Sequence, residues 1–480
     1  MTETNPNIQE ETKVGFFRIL KDLWPNFLLY ISYALTASSL FINLVILVDI
    51  MWPGETLELH ASELGLLGGT ASFAMAFSGI IFGILSDKYS RVKLMAISEL
   101  IFGMALLING FVPQGQGILT FNWFFILNLI RGISIGGFTP LVNSYSYDST
   151  EEQERSQFFG ILQALFQLFQ ILGMLFSAIL FQNYLWREFY WINGTITIFF
   201  GALIIIIAKE PKRGSKSKEL KGILTDENIK YEYKLNWETT KATIFRPTNI
   251  IALFEGIFTT ILIAVPDFLL IAYLQSEHGI SAFATSIIMV GFGLPGGVLG
   301  SLIFAKLSDR LGTRNIRNRL YAIVVSAVFI FIMFLTFFFI PLPYLTPSEG
   351  LNLGIVFSYP IIWVAGILLF LGRGVLGLWN INQPPILQAI NLPEAQGTIT
   401  STNQFLETIG HGSGTILAGA LLVVFGGNYQ FTASITMGLG IIGGLMWLLA
   451  AIWIQKDASR VSEILKQRGI ELNQKKEKKK

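Results

Sequence analysis

Three polar side chains recur at four-residue intervals inside a long apolar segment in the second half of the chain: Asn403, Glu407 and His411. Residues four apart lie on the same face of an α-helix, so these three would line one side of it. A carboxyl group removed from water is most stable in its protonated form and can exchange its proton when its surroundings change. Glu407 is therefore a candidate proton carrier, and polar packing between helices is the alternative.

Other polar side chains also interrupt the apolar segments. Arg131, Glu255 and Arg373 are charged, and Gln163 and Gln167 belong to a stripe of glutamines. A charge at the centre of a membrane helix costs about 2.5 to 3.5 kcal/mol on insertion scales, so each should face a partner or a watery cavity. For the arginines the alternative is pairing with an acid or carbonyls of their own half of the chain, and for the glutamines it is contact between helices.

Two further acids, Asp49 and Asp267, lie near the ends of apolar segments, where contact with water is the simplest explanation. Glu99 lies within an apolar segment, where we favour a hydrogen bond to a neighbouring helix over a role in transport.

The composition identifies a membrane protein. Of 480 residues, 52% are hydrophobic and only 14% are charged, and the mean hydropathy is +0.57, whereas about a quarter of the residues of a soluble protein are charged. The chain has no cysteine and three scattered histidines, which argues against disulfides and against cysteine- or histidine-rich metal sites. A phosphate-binding loop for ATP is also missing. We therefore expect neither a metal nor a cofactor, and no enzymatic activity.

Twelve apolar segments are long enough to cross a bilayer as helices, since each crossing takes about 20 residues. They are called spans 1 to 12 in chain order. Spans 1 to 6 are predicted at 26–50, 64–86, 92–112, 119–143, 157–181 and 188–208. Spans 7 to 12 are predicted at 249–274, 283–307, 320–341, 354–380, 398–424 and 431–455. The predicted fold class is an all-α polytopic membrane protein.

The basic residues predict the orientation. Of the 34 lysines and arginines, Arg131 and Arg373 lie inside spans, and Arg187 is the single one in a loop on the face opposite the chain ends. All others lie on the face of the ends, which the positive-inside rule identifies as cytoplasmic. We expect both termini to be cytoplasmic and the protein to lie in the plasma (cytoplasmic) membrane.

Five regions follow from this pattern. They are a cytoplasmic N-terminal tail at 1–25, a six-helix bundle at 26–208, a cytoplasmic linker at 209–248, a second six-helix bundle at 249–455 and a basic cytoplasmic tail at 456–480. Within the first region, Lys13 to Trp24 is predicted to form an amphipathic helix on the membrane surface.

The two halves share a charged motif after their second span. Gly83-Ile84-Leu85-Ser86-Asp87-Lys88 in the first half matches Ala305-Lys306-Leu307-Ser308-Asp309-Arg310 in the second, and Arg-Gly pairs recur in spans 4 and 10. Because positive-inside topology does not account for the paired aspartates, we interpret the motifs as a cytoplasmic gate. Its candidate residues are Gly83, Asp87, Lys88, Arg91, Asp309, Arg310 and Arg314.

With these motifs the chain resembles the major facilitator superfamily over roughly residues 20 to 455. Gly83, Leu85, Asp87, Lys88 and Arg91 fit the turn motif of that family. The resemblance implies two six-helix bundles related by pseudo-two-fold symmetry, each made of inverted three-helix repeats, with spans 1, 4, 7 and 10 around a central cavity.

Two shorter patterns refine the resemblance. Span 5 lacks the G-x-x-x-G-P-x-x-G-G signature typical of drug/proton antiporters, which disfavours that subclass. The segment Pro393-Glu394-Ala395-Gln396-Gly397-Thr398 is similar to one in prokaryotic Spinster-like transporters.

These features predict a secondary active transporter that moves a small solute by alternating access. Coupling to protons through Glu407 or Glu255 and facilitated diffusion remain alternatives, as does a transporter-like sensor or lipid-handling protein that binds its ligand without net transport. The expected partners are a small-molecule solute, the lipid bilayer and, in the coupled case, protons. Nucleic acid is not an expected partner, and we expect a monomer.

The charge pattern generates a topology prediction. Reporter fusions or a protease site placed at residue 230 should report a cytoplasmic location, because ten basic residues lie in this linker. Cleavage at that site by a protease added outside intact cells would contradict the topology.

Overall fold

A computed structural model describes residues 16–149, 152–211, 237, 241 and 244–477. Every regular element in these ranges is helical, and twelve helical segments within them are long and apolar enough to cross a membrane. The protein is therefore an integral, multi-pass membrane protein. Most of the predicted linker at 209–248 lies outside the described residues.

The helices follow the predicted spans closely. In the first half, span 1 comprises Phe16–Ala37, Ser39–Ile42 and Leu44–Met51, span 2 is Leu57–Lys88, span 3 is Arg91–Asn109, span 4 is Ile118–Gly136 with Phe138–Ser149, span 5 is Glu152–Gln182 and span 6 is Trp186–Ile207. In the second half, span 7 is Pro247–Ala272 with the π-helix Tyr273–Glu277, span 8 comprises Ala282–Ile288, the π-helix Met289–Gly293 and Leu294–Arg314, span 9 is Arg317–Phe339, span 10 is Pro360–Ile390, span 11 is Pro393–Val424 and span 12 is Tyr429–Glu477. Two short helices, Pro347–Leu351 and Leu353–Ser358, connect spans 9 and 10.

Two helices extend beyond the spans predicted from the sequence. The helix Phe16–Ala37 runs without a break from the predicted surface helix into span 1, although it contains Pro25. At the other end, the helix Tyr429–Glu477 continues span 12 far into the predicted basic tail. Helical structure is therefore not limited to apolar sequence, because a helix that has started in the membrane can continue into water.

An even number of spans places the described ends of the chain on one side of the molecule, called here the terminal face; the other side is the opposite face. Spans 2 and 11 form a close contact between the two halves, in the part of both helices nearer to the opposite face. A Cβ at Gly69 would lie 2.4 Å from the carbonyl oxygen of Gly412, and one at Gly419 would lie 2.1 Å from that of Ala61. Side chains other than hydrogen do not fit there.

Polar contacts between the halves also cluster at the opposite face. Glu58, in the first turn of span 2, accepts hydrogen bonds from Ser276 at 2.6 Å and from Tyr429 at 2.8 Å. Gln275 donates to the carbonyl oxygen of Ile42 at 2.8 Å. These contacts and the glycine contact close the two bundles against each other at the opposite face.

The glycine contact generates a prediction about this closure. Gly419→Val should shift the population towards molecules open at the opposite face, because added carbon atoms would collide with a backbone carbonyl that cannot move aside, and overpacking of this kind costs about 1–3 kcal/mol. The native chain has no cysteine, so spin labels at Thr56→Cys and Ser348→Cys report the distance between the bundles without background.

Gly438→Val is the matched control, since a Cβ at Gly438 has nothing within 4 Å. An unchanged distance distribution in Gly419→Val would contradict the prediction.

Candidate functional site

Two carboxylates from different spans share one hydrogen-bond donor in the second half. The amide nitrogen Nε2 of Gln383 lies 3.1 Å from Oε1 of Glu255 and 2.8 Å from Oε1 of Glu407. An amide NH₂ group has two hydrogens, so it can serve both acceptors. Glu255 also accepts from Thr259 at 2.6 Å, and Glu407 accepts from Asn403 at 2.7 Å. Spans 7, 10 and 11 therefore meet at a carboxylate pair.

The local sequence explains why these groups meet. Glu407 and Asn403 lie one helical turn apart on span 11, as their spacing predicts. Span 11 comes close to span 7 because a Cβ at Gly410 would lie 2.3 Å from the carbonyl oxygen of Ile257. The Glu407 side chain packs over Gly256, whose absent Cβ would lie 2.9 Å from Cγ of Glu407.

The pair has no cation beside it. Within the described residues, neither Glu255 nor Glu407 forms an ion pair, and Glu255 is fully buried. Two like charges so close together cannot both be ionised in a medium of low polarity, so at least one carboxyl group of such a pair holds a proton. The arrangement can therefore take up and release a proton without changing its hydrogen-bonded neighbours.

The arginine of span 10, Arg373, is not the partner of Glu407. Arg373 instead forms an ion pair with Asp267, and its guanidinium carbon lies 5.9 Å from the centre of the Phe334 ring. The expectation that Asp267 is simply solvated was wrong, because this carboxylate is the partner of Arg373. His411 is an electrostatic neighbour of both members of this ion pair.

Arg131 occupies a different environment from Arg373. Its side chain is buried, and its Nε has no hydrogen-bond partner. The guanidinium carbon lies 5.8 Å from the centre of the Phe102 ring. The predicted stripe on span 5 lies in the same half: Gln163 is exposed and Gln167 is half-buried. The structure does not bring these glutamines into hydrogen-bond contact with the carboxylate pair.

Arg91 organises the terminal face of the first half. This buried guanidinium forms ion pairs with Asp148 and with Glu210 and donates to the carbonyl oxygens of Ser144 and Pro211 at 2.8 and 2.9 Å. All of these partners belong to the first half of the chain or to its continuation at residues 210 and 211. In this conformation Arg91 therefore joins span 3 to spans 4 and 6.

Glu210 caps the start of span 3. Its carboxylate accepts from the backbone N–H of Val92 at 2.9 Å and from the Ser90 hydroxyl at 2.7 Å. Burial raises the pKa of Glu210, but the hydrogen bonds from Val92, Ser90 and Arg91 outweigh burial, so the pKa lies below its ordinary value. Glu210 therefore contributes stability above the pKa of the unfolded chain, which is lost as the pH falls through the folded pKa.

The other candidate gate residues lie around the two motifs. Lys88, Arg310 and Arg314 are exposed, and a Cβ at Gly83 would touch Pro140 at an ordinary distance of 4.0 Å. The side chains of Asp87 and Asp309 lie outside what the structure describes.

In the second half, the arginine that contacts the charged motif is not one of the residues that we singled out from the sequence. Arg319 in span 9 donates to Ser308 at 3.0 Å, and a Cβ at Gly312 would lie 2.1 Å from its Nε. The available signal was its place in the first turn of span 9, since Arg91 likewise lies in the first turn of span 3.

Gln383 and Glu58 were also missed. The signal for Gln383 was a polar side chain within an otherwise apolar helix, directly before Pro384 and Pro385. Glu58 gave no signal of its own, because an acid in the first turn of a helix is common for electrostatic reasons alone.

Comparison with known proteins places this chain among transporters. The family model described as Major Facilitator Superfamily matches residues 27–415. Multidrug resistance protein 3 of Bacillus subtilis (strain 168) is 25% identical over 402 residues, which cover 73% of this chain and 71% of that protein. The cis,cis-muconate transport protein of Acinetobacter baylyi (strain ATCC 33305 / BD413 / ADP1) is 24% identical over 304 residues, covering 63% of this chain and 68% of that protein.

Among solved structures, a bacterial homologue of the human lysosomal transporter Spinster, in an inward-facing and unoccupied conformation, superposes with a TM-score of 0.68. The alignment covers 92% of this chain and 99% of that chain at 16% sequence identity. At this identity the likeness shows the fold alone.

The shared donor generates a stability prediction. Gln383→Leu should lower the melting temperature of the purified protein, because two buried carboxyl groups lose a hydrogen bond, and an unsatisfied buried acceptor costs about 1–3 kcal/mol. Gln388→Leu is the control on the same helix, since Gln388 is exposed. The loss should be smaller when Gln383→Leu is combined with Glu407→Leu, because that change removes one of the two acceptors. An equal loss in both backgrounds would show that Gln383 does not act through the pair.

Proposed function

Because the chain belongs to the major facilitator superfamily and is a secondary transporter by that membership, we propose that it couples the movement of a small solute to protons through the carboxylate pair Glu255 and Glu407. The observation that carries this proposal is the single Gln383 amide hydrogen-bonded to both carboxyl groups. A site that must hold at least one proton and has no neighbouring cation is suited to proton exchange.

The positions of the two carboxyl groups support this role. Glu255 belongs to span 7 and Glu407 to span 11, and both side chains approach span 10 through Gln383. The remaining candidates of the second half, Asn403 and His411, lie one turn to either side of Glu407 on span 11. Asn403 positions Glu407 by its hydrogen bond of 2.7 Å. In this proposal His411 connects Glu407 to the layer that contains Asp267 and Arg373.

We further propose that the terminal face is cytoplasmic, that the protein resides as a monomer in the plasma membrane, and that the bundles correspond to residues 26–208 and 249–455. The distribution of lysine and arginine supports this orientation. With it, closure at the opposite face makes the present conformation inward-facing. The motif residues Gly83, Asp87, Lys88, Arg91, Asp309, Arg310 and Arg314 would then form the cytoplasmic gate that closes when the opposite face opens.

The solute is proposed to be a small organic molecule. One relative is named as a cis,cis-muconate transport protein and another as a multidrug resistance protein, so an organic anion and a lipophilic compound are suitable first probes. The proposed central cavity is bordered by Arg131, Gln163, Gln167 and Arg373 in addition to the acidic pair.

Replacement of Glu407 tests the coupling. Glu407→Gln keeps the hydrogen bonds that a neutral carboxyl group makes but cannot exchange a proton, so it should abolish accumulation of labelled muconate or ethidium driven by a pH gradient in proteoliposomes. Downhill exchange of the same probe should remain within several-fold of the native rate, because the bundles can still rearrange. Glu463→Gln, which alters an exposed acid of the final helix, serves as the control.

Accumulation driven by the pH gradient in Glu407→Gln would contradict the proposal and would indicate that Glu407 serves only in helix packing. Saturable binding of the probes by native protein without any exchange would favour the binding-only sensor.

A further inference from the structure

Arg131 is a buried cation for which the described part of the chain supplies no counter-ion. Its side chain is 8% exposed, and Nε has no hydrogen-bond partner. Within the described residues no carboxylate forms an ion pair with it. By contrast, Arg373 inside span 10 is paired with Asp267, and Arg91, buried at the terminal face, is paired with Asp148 and Glu210. A buried charge that lacks its partner is strongly destabilising, so an unpaired guanidinium here requires an explanation.

The neighbours of Arg131 do not supply that partner. Glu99, the buried acid of the same half, accepts a hydrogen bond from Ser32 on span 1. Tyr33 and Tyr190 are electrostatic neighbours of the guanidinium, but their neutral hydroxyl groups carry only dipoles. The described residues therefore supply no carboxylate to neutralise Arg131, and an anion from outside the chain could do so.

Tyr33, an electrostatic neighbour of Arg131, belongs to a cluster of aromatic rings. The ring of Tyr33 lies 6.4 Å from that of Phe138 and 5.4 Å from that of Phe166, and Tyr30 lies 5.9 Å from Phe166. Tyr30, Tyr33 and Phe166 are each only partly buried. Rings at these distances offer flat apolar faces and edges to another aromatic ring.

We propose that Arg131 binds the carboxylate of a planar aromatic anion, with the rings of Tyr30, Tyr33 and Phe166 against its apolar body. Guanidinium and carboxylate match each other in a bidentate geometry. The inference rests on the proposed transport function and names the class of solute. An aromatic carboxylate satisfies both features of the site, whereas a neutral aromatic compound would leave Arg131 unpaired and an inorganic anion would leave the rings uncovered.

The test measures binding of benzoate and 2-naphthoate, with benzamide and 2-naphthamide as neutral analogues, to the full-length protein in lipid nanodiscs by isothermal titration at pH 7. At least one acid should bind about ten- to a hundredfold more tightly than its amide, the usual range for hydrogen bonds to a charged partner. Arg131→Gln should remove this preference, and Arg131→Lys should retain part of it. Arg187→Gln should leave it unchanged, because Arg187 packs on Trp186 at the start of span 6 and donates to the carbonyl oxygen of Gly110.

A second measurement uses the unaltered chain, so that it does not depend on the folding of a variant. Phenylglyoxal modifies arginine, and the bound acid, but not the amide, should protect Arg131 in peptides analysed by mass spectrometry. Equal binding of acids and amides by the native protein, or an acid preference that persists in well-folded Arg131→Gln, would overturn the anion site.

The two proposals fail in different ways. Loss of coupling to the pH gradient on its own would count against the role of Glu407 and leave the anion site standing. Uptake driven by the pH gradient in Arg131→Gln, with no preference for acids in the native protein, would overturn the anion site and leave coupled transport standing.

Discussion

The exclusion of water from the membrane-spanning helices governs the polar architecture of this protein. In hydrocarbon a polar group cannot be solvated, so its partner must come from the protein or from a ligand. Several polar side chains inside the spans have such a partner within the protein. Asp267 compensates Arg373, Ser32 donates to Glu99, and Gln383 serves two carboxyl groups at once.

The two halves repeat the same arrangement of helices, but they differ in how the polar groups inside their spans are paired. The arginine of span 10 has a carboxylate partner, whereas the arginine of span 4 has none among the residues that the structure describes. Span 11 carries Glu407 where the corresponding position of span 5 carries Gln167. Among the described residues, the first half thus has a guanidinium without an ion-pair partner, and the second half has two acids that share the Gln383 donor. Two halves that differ in this way could bind the proposed anion in the first bundle and the proposed proton in the second.

The sequence was sufficient to predict the membrane spans. Crossing a membrane takes about 20 apolar residues, and each helix meets this requirement on its own. The spacing of Asn403 and Glu407 also predicted their contact, since it depends on a single helix. The ion pair of Asp267 with Arg373 was not predictable in the same way. These residues are 106 positions apart, and their contact depends on how spans 7 and 10 pack. Gln383 was missed for the same reason, because its role exists only where three helices meet.

Span 11 takes part both in the carboxylate pair and in the contact that closes the two bundles at the opposite face. One side of this helix packs on span 7, with Gly410 against the carbonyl oxygen of Ile257, and this side carries Glu407. Another side packs on span 2 of the other half through Gly412 and Gly419.

The contact with span 7 joins helices of one bundle, so rocking of the bundles leaves it intact, whereas the contact with span 2 must separate when the opposite face opens. The carboxylate pair would therefore keep its geometry through the transport cycle. In the proposed mechanism its access to water on either side would change instead, which is the property that a proton-coupled transporter has to alternate.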